Sequence, residues 1–332
     1  MRISSNMSYD SFAFNIEKLQ ESRYKNLLRQ STGKDMINIA DQPANLMDVK
    51  KIITAKEQRS NYINVNNLAA SEMRAAEDQI ESVITALQKI RDLSITSTNM
   101  IYDGSGVQSI GNYIKGIVTD ILRNVNADFN GKYLFSGTKT NANSIEADNP
   151  GMNEMPFELI KNEASADNPS GFQVVFKGNM EQRKINKDTH STEIINLTAD
   201  ELFGENGTKT FEAIIDIYNI LLFGPDNTER ENLESLSREE KIKIAELQQK
   251  VAHDLEEITK NNAKLASRRE RLETVTDQMT EEVVRLKEVQ SLREDADVVK
   301  VLSDLKKEET VLQYVLQSAP RLTRLTLFDF LS

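Results

Sequence analysis

The sequence predicts a mainly α protein: an elongated antiparallel bundle of long helices carrying a small β-rich inserted domain. Three observations predict it. Residues 226–319 hold neither glycine nor proline, the two strongest helix breakers, over 94 positions. Within that run Val251, Ile258, Leu265, Leu272, Met279 and Leu286 recur every seven residues, which keeps one side-chain row on one helix face along a partner. As one helix the run would reach ~140 Å, whereas a compact globule of this length is ~50 Å across, so the chain is either bent back on itself or a rod. Residues 44–103 form a second run free of glycine and proline, and between the two runs lies a stretch rich in turn residues.

Taken in order, residues 8–30 read as a helix with Phe12, Ile16, Leu19, Leu27 and Leu28 on or near one stripe, and Gly33 as its stop. Asp41 caps the next helix and Pro43 sits in its first turn. Leu46, Val49, Ile53, Ile63, Ala70, Met73, Ile80, Leu87 and Ile90 mark the seam of that helix, the natural partner of the first part of the 226–319 run. Asp103–Gly106 is a turn. A third helix over 107–128 presents Ile110, Ile114, Ile117, Ile121 and Leu122, and Gly116 inside it predicts a close helix contact. Asn130-Gly131 is a turn.

Residues 137–210 collect Pro150, Pro156, Pro169 and the turns Asn149-Pro150-Gly151, Pro169-Ser170-Gly171 and Lys177-Gly178-Asn179. Phe172, Val174 and Phe176 alternate ahead of the last of these as one hairpin arm, and Ile194, Ile195 and Leu197 offer another strand. Thr198–Glu201 has capping-box spacing before a single helical turn stopped by Gly204. The turns isolate 141–208 from both seams and predict a segment dispensable for assembly. A short amphipathic helix over 211–223 ends at Gly224-Pro225.

Beyond 286 the row Val298, Leu302, Leu305, Leu312 and Leu316 continues, broken at Glu309. Pro320 predicts a kink or break after Ala319. The last residues then bring Leu325, Leu327, Phe328, Phe330 and Leu331 close together. Such a tail either folds back on its own core or is completed by another subunit; the second reading is preferred, because the first helix offers one apolar stripe and cannot cover it all. The domain division is 1–42 with 286–332 as a terminal helical assembly domain, 43–140 with 211–285 as a central long-helix rod, and 141–210 as a β-rich variable insertion. The assembly interface is expected at Ile3, Phe12, Ile16, Leu19, Leu27, Leu302, Leu305, Leu312, Leu316, Leu325, Leu327, Phe328, Phe330 and Leu331.

Composition narrows the function. Net charge is −11, with acidic and basic residues interleaved, which reads as solvated helix surface and opposes nucleic-acid binding. There is no cysteine, so neither disulfides nor thiolate chemistry are available. No apolar run is long enough for a membrane span, and the N-terminus carries no cleavable signal pattern. His190 and His253 lie far apart and neither has metal-ligand spacing. No catalytic, cofactor or metal site is expected, and no cofactor.

Several segments carry a resemblance. Met1-Arg2-Ile3-Ser4, Ser31-Thr32-Gly33-Lys34 with Ala40-Asp41-Gln42-Pro43-Ala44, Gly131-Lys132-Tyr133-Leu134-Phe135-Ser136-Gly137-Thr138, Ala266–Glu273 and Leu325–Leu331 together resemble the flagellin superfamily and, more closely, its hook–filament junction family, that of hook-associated protein 3. The likeness covers about 1–140 and 211–332. Ala40, Gln42 and Asp35 depart from the family's usual Ser, Asp and basic residue. The resemblance implies a flagellin-like rod: an extracellular structural protein of the bacterial flagellum, exported through the type III channel and held by an export chaperone on its C-terminal region. It also implies self-association in a helical assembly that joins hook to filament, between a neighbouring hook-associated protein and flagellin. Two alternatives stand beside it: a flagellin of the bulk filament and, from another class, a cytoplasmic coiled-coil adaptor.

Overall fold

The computed structural model describes the backbone of residues 2–35, 43–99, 104–141, 155–231 and 234–331, and the side chains of these outside 2–9, 43–44, 99 and 319–331. The Asp41 cap, Asp103 and the Asn149-Pro150-Gly151 turn lie outside the described residues. The architecture is mainly α, with long helices and three small antiparallel two-stranded ladders. Helix α1 is Arg2–Thr32, α2 Pro43–Asn99 and α3 Gly104–Val125. Strands β1 (Asp128–Phe129) and β2 (Lys132–Tyr133) flank Asn130-Gly131. Both turn residues have positive φ, 53° and 74°, the backbone a tight two-residue hairpin demands. Strands β3 (Phe157–Lys161), β4 (Phe172–Phe176), β5 (Lys184–Asn186) and β6 (Thr192–Ile194) follow, then α4 (Ala199–Phe203), α5 (Lys209–Leu222), α6 (Arg238–Glu294) and α7 (Val298–Leu331).

The chain forms two compact units, Asn61–Gln278 and Met1–Ser60 with Met279–Ser332. The first of these holds the main core. In it α2 and α6 run antiparallel: Arg74 pairs with Glu273, Glu77 with Arg269, and Gln248 donates to the Arg91 carbonyl. Met73, Ile80, Leu87 and Ile90 of α2 are fully or almost fully buried, as are Ile244, Val251, Ile258, Leu265 and Leu272 of α6. The seven-residue row therefore lies in the interior throughout this unit. Helices α3 and α5 complete the core with Val107, Ile114, Ile121, Phe211, Ile214, Ile217 and Leu221.

The close helix approach falls one turn from where Gly116 predicts it. Gly116 is exposed with nothing near its missing Cβ, whereas a Cβ on Gly111 would stand 2.3 Å from Leu222 Cδ1 and 3.2 Å from Leu221 Cβ. The two glycines should therefore respond oppositely to alanine. Gly116→Ala is expected to raise stability by about 1 kcal/mol through helix propensity. Gly111→Ala is expected to lower it by about 1–3 kcal/mol, because Leu222 has to give way in a packed contact. Urea midpoints of the two variants decide this.

The turn-rich segment is not isolated. Phe157, Val174, Ile195, Leu197, Leu202 and Phe203 belong to the same core as α2, α3, α5 and α6. The ring of Phe203 lies 4.7 Å from that of Phe211 on α5, and Phe157 lies 5.7 Å from Phe203. Arg183 pairs with Glu72 of α2 at 2.5 Å, and Glu193 with Arg271 of α6 at 3.1 Å. Glycine and proline fix where the chain turns but say nothing of what the apolar residues between the turns touch. The hairpin also differs: β4 pairs backward with β3, Phe157 opposite Phe176 and Lys161 opposite Phe172, and not across the Lys177–Asn179 turn. The ladder of β6 ends at Ile194, and Ile195 and Leu197 are buried beyond it. Thr198 N–H donates to Glu201 Oε2 at 3.1 Å, so the capping box opens α4 as its spacing predicts.

Neither is the 226–319 run one helix. Between α5 and α6, Arg230 is wholly buried; its Nη2 donates to the carbonyls of Ile220 and Phe223 at 3.0 Å each and pairs with Glu240 at 2.5 Å. It satisfies carbonyls at the C-terminal end of α5 that the helix leaves open. A second break, Asp295–Asp297, separates α6 from α7, with the Asp297 carboxylate accepting the Lys300 N–H at 3.1 Å. A capping aspartate with backbone partners elsewhere interrupts a helix without glycine or proline. Conversely, the chain stays helical through Pro320. The expected break after Ala319 is absent, since one proline removes a single helix hydrogen bond from a helix of 34 residues.

Candidate assembly interface

The unit of Met1–Ser60 and Met279–Ser332 is built from α1, the start of α2, the end of α6, and α7. Lys56 and Arg59 of α2 bond Gln290 and Glu282 of α6. Helices α1 and α7 pack together. On α1 the sheltered row is Phe12, Ile16, Leu19, Arg23 and Asn26; on α7 it is Val301, Leu305, Glu308, Leu312 and Val315. Both rows step by four and three, the spacing of a two-helix seam. Ser22 Oγ and Asn26 Nδ2 donate to Glu308 Oε1 at 2.6 and 2.9 Å across it, and Arg29 Nη1 donates to Asn26 Oδ1 at 3.3 Å.

A second tie lies at the end of α1. Gly33, in the left-handed region with φ 68°, turns the chain so that Lys34 forms an antiparallel bridge with Asp295. Asp35 N–H donates to the Glu294 carbonyl at 2.8 Å and Ala296 N–H to the Gly33 carbonyl at 2.9 Å. Lys34 Nζ meets Asp295 Oδ1 at 2.7 Å and Glu294 Oε2 at 3.4 Å. The backbone groups freed at the α6–α7 break are thereby satisfied by the turn after α1. Sequence patterning missed this pair because its members are 261 residues apart.

The hydrogen bond from Lys34 holds the Asp295 carboxyl below its ordinary value of 3.8, and the same bond raises the Lys34 ammonium above 10.5. A depressed carboxyl stabilises above its unfolded value and loses that contribution as pH falls; a raised amine stabilises below its unfolded value and loses it as pH rises. The bridge is thus expected to hold between these limits. Protection of the Asp35 and Ala296 amides, measured by NMR, should drop below pH 3.8 and not between pH ~5 and ~8.

The expected interface residues separate into two groups. Phe12, Ile16, Leu19, Leu305 and Leu312 are half-buried and lie in the α1–α7 seam. Leu27, Leu302 and Leu316 lie outside it, 46%, 47% and 62% exposed. The seam row on α7 is therefore Val301, Leu305, Glu308, Leu312 and Val315, and not Val298, Leu302, Leu305, Leu312 and Leu316. Both rows share Leu305 and Leu312. The polar donors on α1 select the one that carries a glutamate, which apolar patterning counts against. The side chains of Ile3, Leu325, Leu327, Phe328, Phe330 and Leu331 lie outside those described.

This unit has almost no interior of its own. Among its described residues the buried apolar side chains are Val49, Val283 and Val301, and the main core contains none of them. Its surface is the reverse. Phe14, Tyr24, Leu292, Val299, Val311 and Tyr314 are exposed along with Leu302 and Leu316. Val299, Leu302, Val311 and Tyr314 line one shallow groove on α7 with the stems of Lys306 and Lys307. A soluble monomer rarely leaves so much apolar surface uncovered. Among the described residues no helix is long and apolar enough to cross a membrane.

The chain thus brings together long helices from both ends of its sequence and leaves an apolar face of α7 exposed. Residues 3–140 match the family model of the bacterial flagellin N-terminal helical region. More particularly, the chain is similar to flagellar hook-associated protein 3: 28% identical over 143 residues to that of Salmonella typhimurium, 43% of this chain and 45% of the relative. To that of Escherichia coli it is 28% identical over 141 residues, 42% of this chain and 44% of the relative. The chain thus spans under half the length of the curated relatives it matches. Among solved structures, a flagellar hook-associated protein from Vibrio parahaemolyticus aligns with TM-score 0.61 at 16% identity, over 76% of this chain and 99% of that one. A flagellar hook-associated protein 3 from Legionella pneumophila aligns with TM-score 0.55 at 15% identity, over 75% and 99%. At these identities the shared property is the fold, and it is the fold the sequence resemblance implies.

Proposed function

We propose that the protein is a structural subunit of the bacterial flagellum that joins the hook to the filament. A few copies pack through their terminal helices in a helical assembly, between a neighbouring hook-associated protein and flagellin. The observation that carries this reading is the α1–α7 pair: among its described side chains Val301 is the one buried apolar residue, while Val299, Leu302, Val311 and Tyr314 leave an apolar face exposed, and the sequence continues into a tail of leucine and phenylalanine. The ends, 1–42 and 286–332, serve as the assembly domain, and Leu302, Leu316 and the apolar tail residues make the contacts between copies. Export through the flagellar type III channel, with a chaperone shielding the C-terminal region, suits a chain whose ends are too apolar to stay free. The work is mechanical and uses no cofactor.

Deletion of the gene should leave hooks without filaments and release unpolymerised flagellin into the medium. The protein should also be found on hook–basal-body preparations from cells that lack flagellin. A protein distributed along sheared filaments and absent from such hooks would be a flagellin instead.

A further inference from the structure

We propose that Ser22, Asn26 and Glu308 set the register in which α1 and α7 pair. Both seam rows repeat at seven residues, so apolar packing alone does not distinguish the observed alignment from one slipped by a heptad, ~10 Å along the helix. A slip in one direction keeps leucine against leucine, Leu19 moving from the level of Leu312 to that of Leu305. It is the polar layer that suffers: Asn26 moves against Val301 or Val315, and Glu308 against Leu19 or the Gly33 turn.

Asn26 is 6% exposed, and the Glu308 carboxylate takes both of its cross-seam bonds on Oε1. Its Oε2 is buried without a partner. Placed against valine or leucine, the carboxylate and the Asn26 Nδ2 would lose these cross-seam bonds, a penalty the observed alignment avoids. A single polar layer in an apolar seam is the best-attested device for choosing register at a cost in stability.

The chain leaves room for the slip. Only Asp295–Asp297 joins α6 to α7, which pins α7. Ten residues separate Thr32 from Pro43, enough to span ~33 Å when extended, so α1 is the helix that can slide. The backbone bridge at Lys34 and Asp295 is the competing register mark. The inference needs only the α1–α7 pairing and not a place in the flagellum, so its failure leaves the proposed function standing.

The chain has no cysteine, so engineered pairs report register directly. Leu19→Cys with Leu312→Cys tests the observed alignment. Leu19→Cys with Leu305→Cys tests the slipped one, which in the observed register holds its sulfurs too far apart to bridge. In the otherwise unchanged full chain, oxidation should link the first pair and leave the second at background. With Asn26→Leu and Glu308→Leu added, the second pair should rise to a yield comparable with the first, and the thermal midpoint should not fall. If that double variant links the first pair alone, the backbone bridge sets register and the proposal is overturned. If it links neither, the layer holds the helices together instead of selecting their alignment, and the proposal is equally overturned.

Discussion

Replacing residues 155–208 with a short linker is expected to unfold the Asn61–Gln278 unit. Phe157, Phe203 and Leu197 are each no more than 1% exposed and Leu202 and Val174 no more than 3%, all in one core with α2, α3, α5 and α6. Each such side chain contributes about 1.5–3 kcal/mol by burial. Removing five forfeits about 7–15 kcal/mol, as much as the whole stability of an ordinary domain. It also opens Phe211 and Ile214 to water and leaves Glu72 without Arg183. Circular dichroism should show loss of the cooperative thermal transition. A truncated protein that still melts cooperatively near the parent's midpoint would mean the segment rests on the core without being part of it.

Leu272→Asp is the second large effect. Leu272 is fully buried in the seven-residue row of α6, in the core shared with Met73 and Ile80 of α2. An aspartate there loses the leucine's packing and places a carboxylate in the apolar core, which costs about 3–5 kcal/mol. Leu292→Asp on the same helix is the control, since Leu292 is 85% exposed. It should leave the monomer's denaturation midpoint within experimental scatter. Equal effects at the two positions would show the register of α6 to be wrong.

The long seams were legible in the sequence because helix periodicity and burial are the same fact seen twice. Val251, Ile258, Leu265 and Leu272 are spaced by seven and buried in sequence order, and Met73, Ile80, Leu87 and Ile90 answer them on α2. Breaks were less legible. Asp295–Asp297 interrupts the helix through a cap and a bridge to Lys34, and a partner 261 residues away leaves no local pattern. The middle segment was misread for a related reason: turns are local, whereas the contact of Phe203 with Phe211 crosses from one element to the next and depends on packing. In the terminal unit the apolar repeat included Leu305 and Leu312 of the α1–α7 seam but centred on a face of α7 turned by one residue. The deciding groups were Ser22 and Asn26, polar side chains whose acceptor, Glu308, lies more than 280 positions away.

Hydrogen exchange on the verified monomer is the most direct test of a terminal unit that awaits its neighbours. Among their described side chains, helix segments 10–32 and 298–318 bury a single apolar residue, Val301, whereas 61–99 and 238–278 share the main core. Protection follows the free energy of local opening, which rises with buried apolar contact. Ordering the ends costs roughly 1–2 kcal/mol per backbone residue, a cost that burial against neighbouring copies offsets on assembly. In the monomer the amides of Leu302–Leu316 should exchange orders of magnitude faster than those of Leu255–Leu272, and in assembled protein the two should approach each other. Equal protection of the two stretches in a monomer of confirmed mass would contradict this, and α1 and α7 would then form a finished core that needs no neighbour.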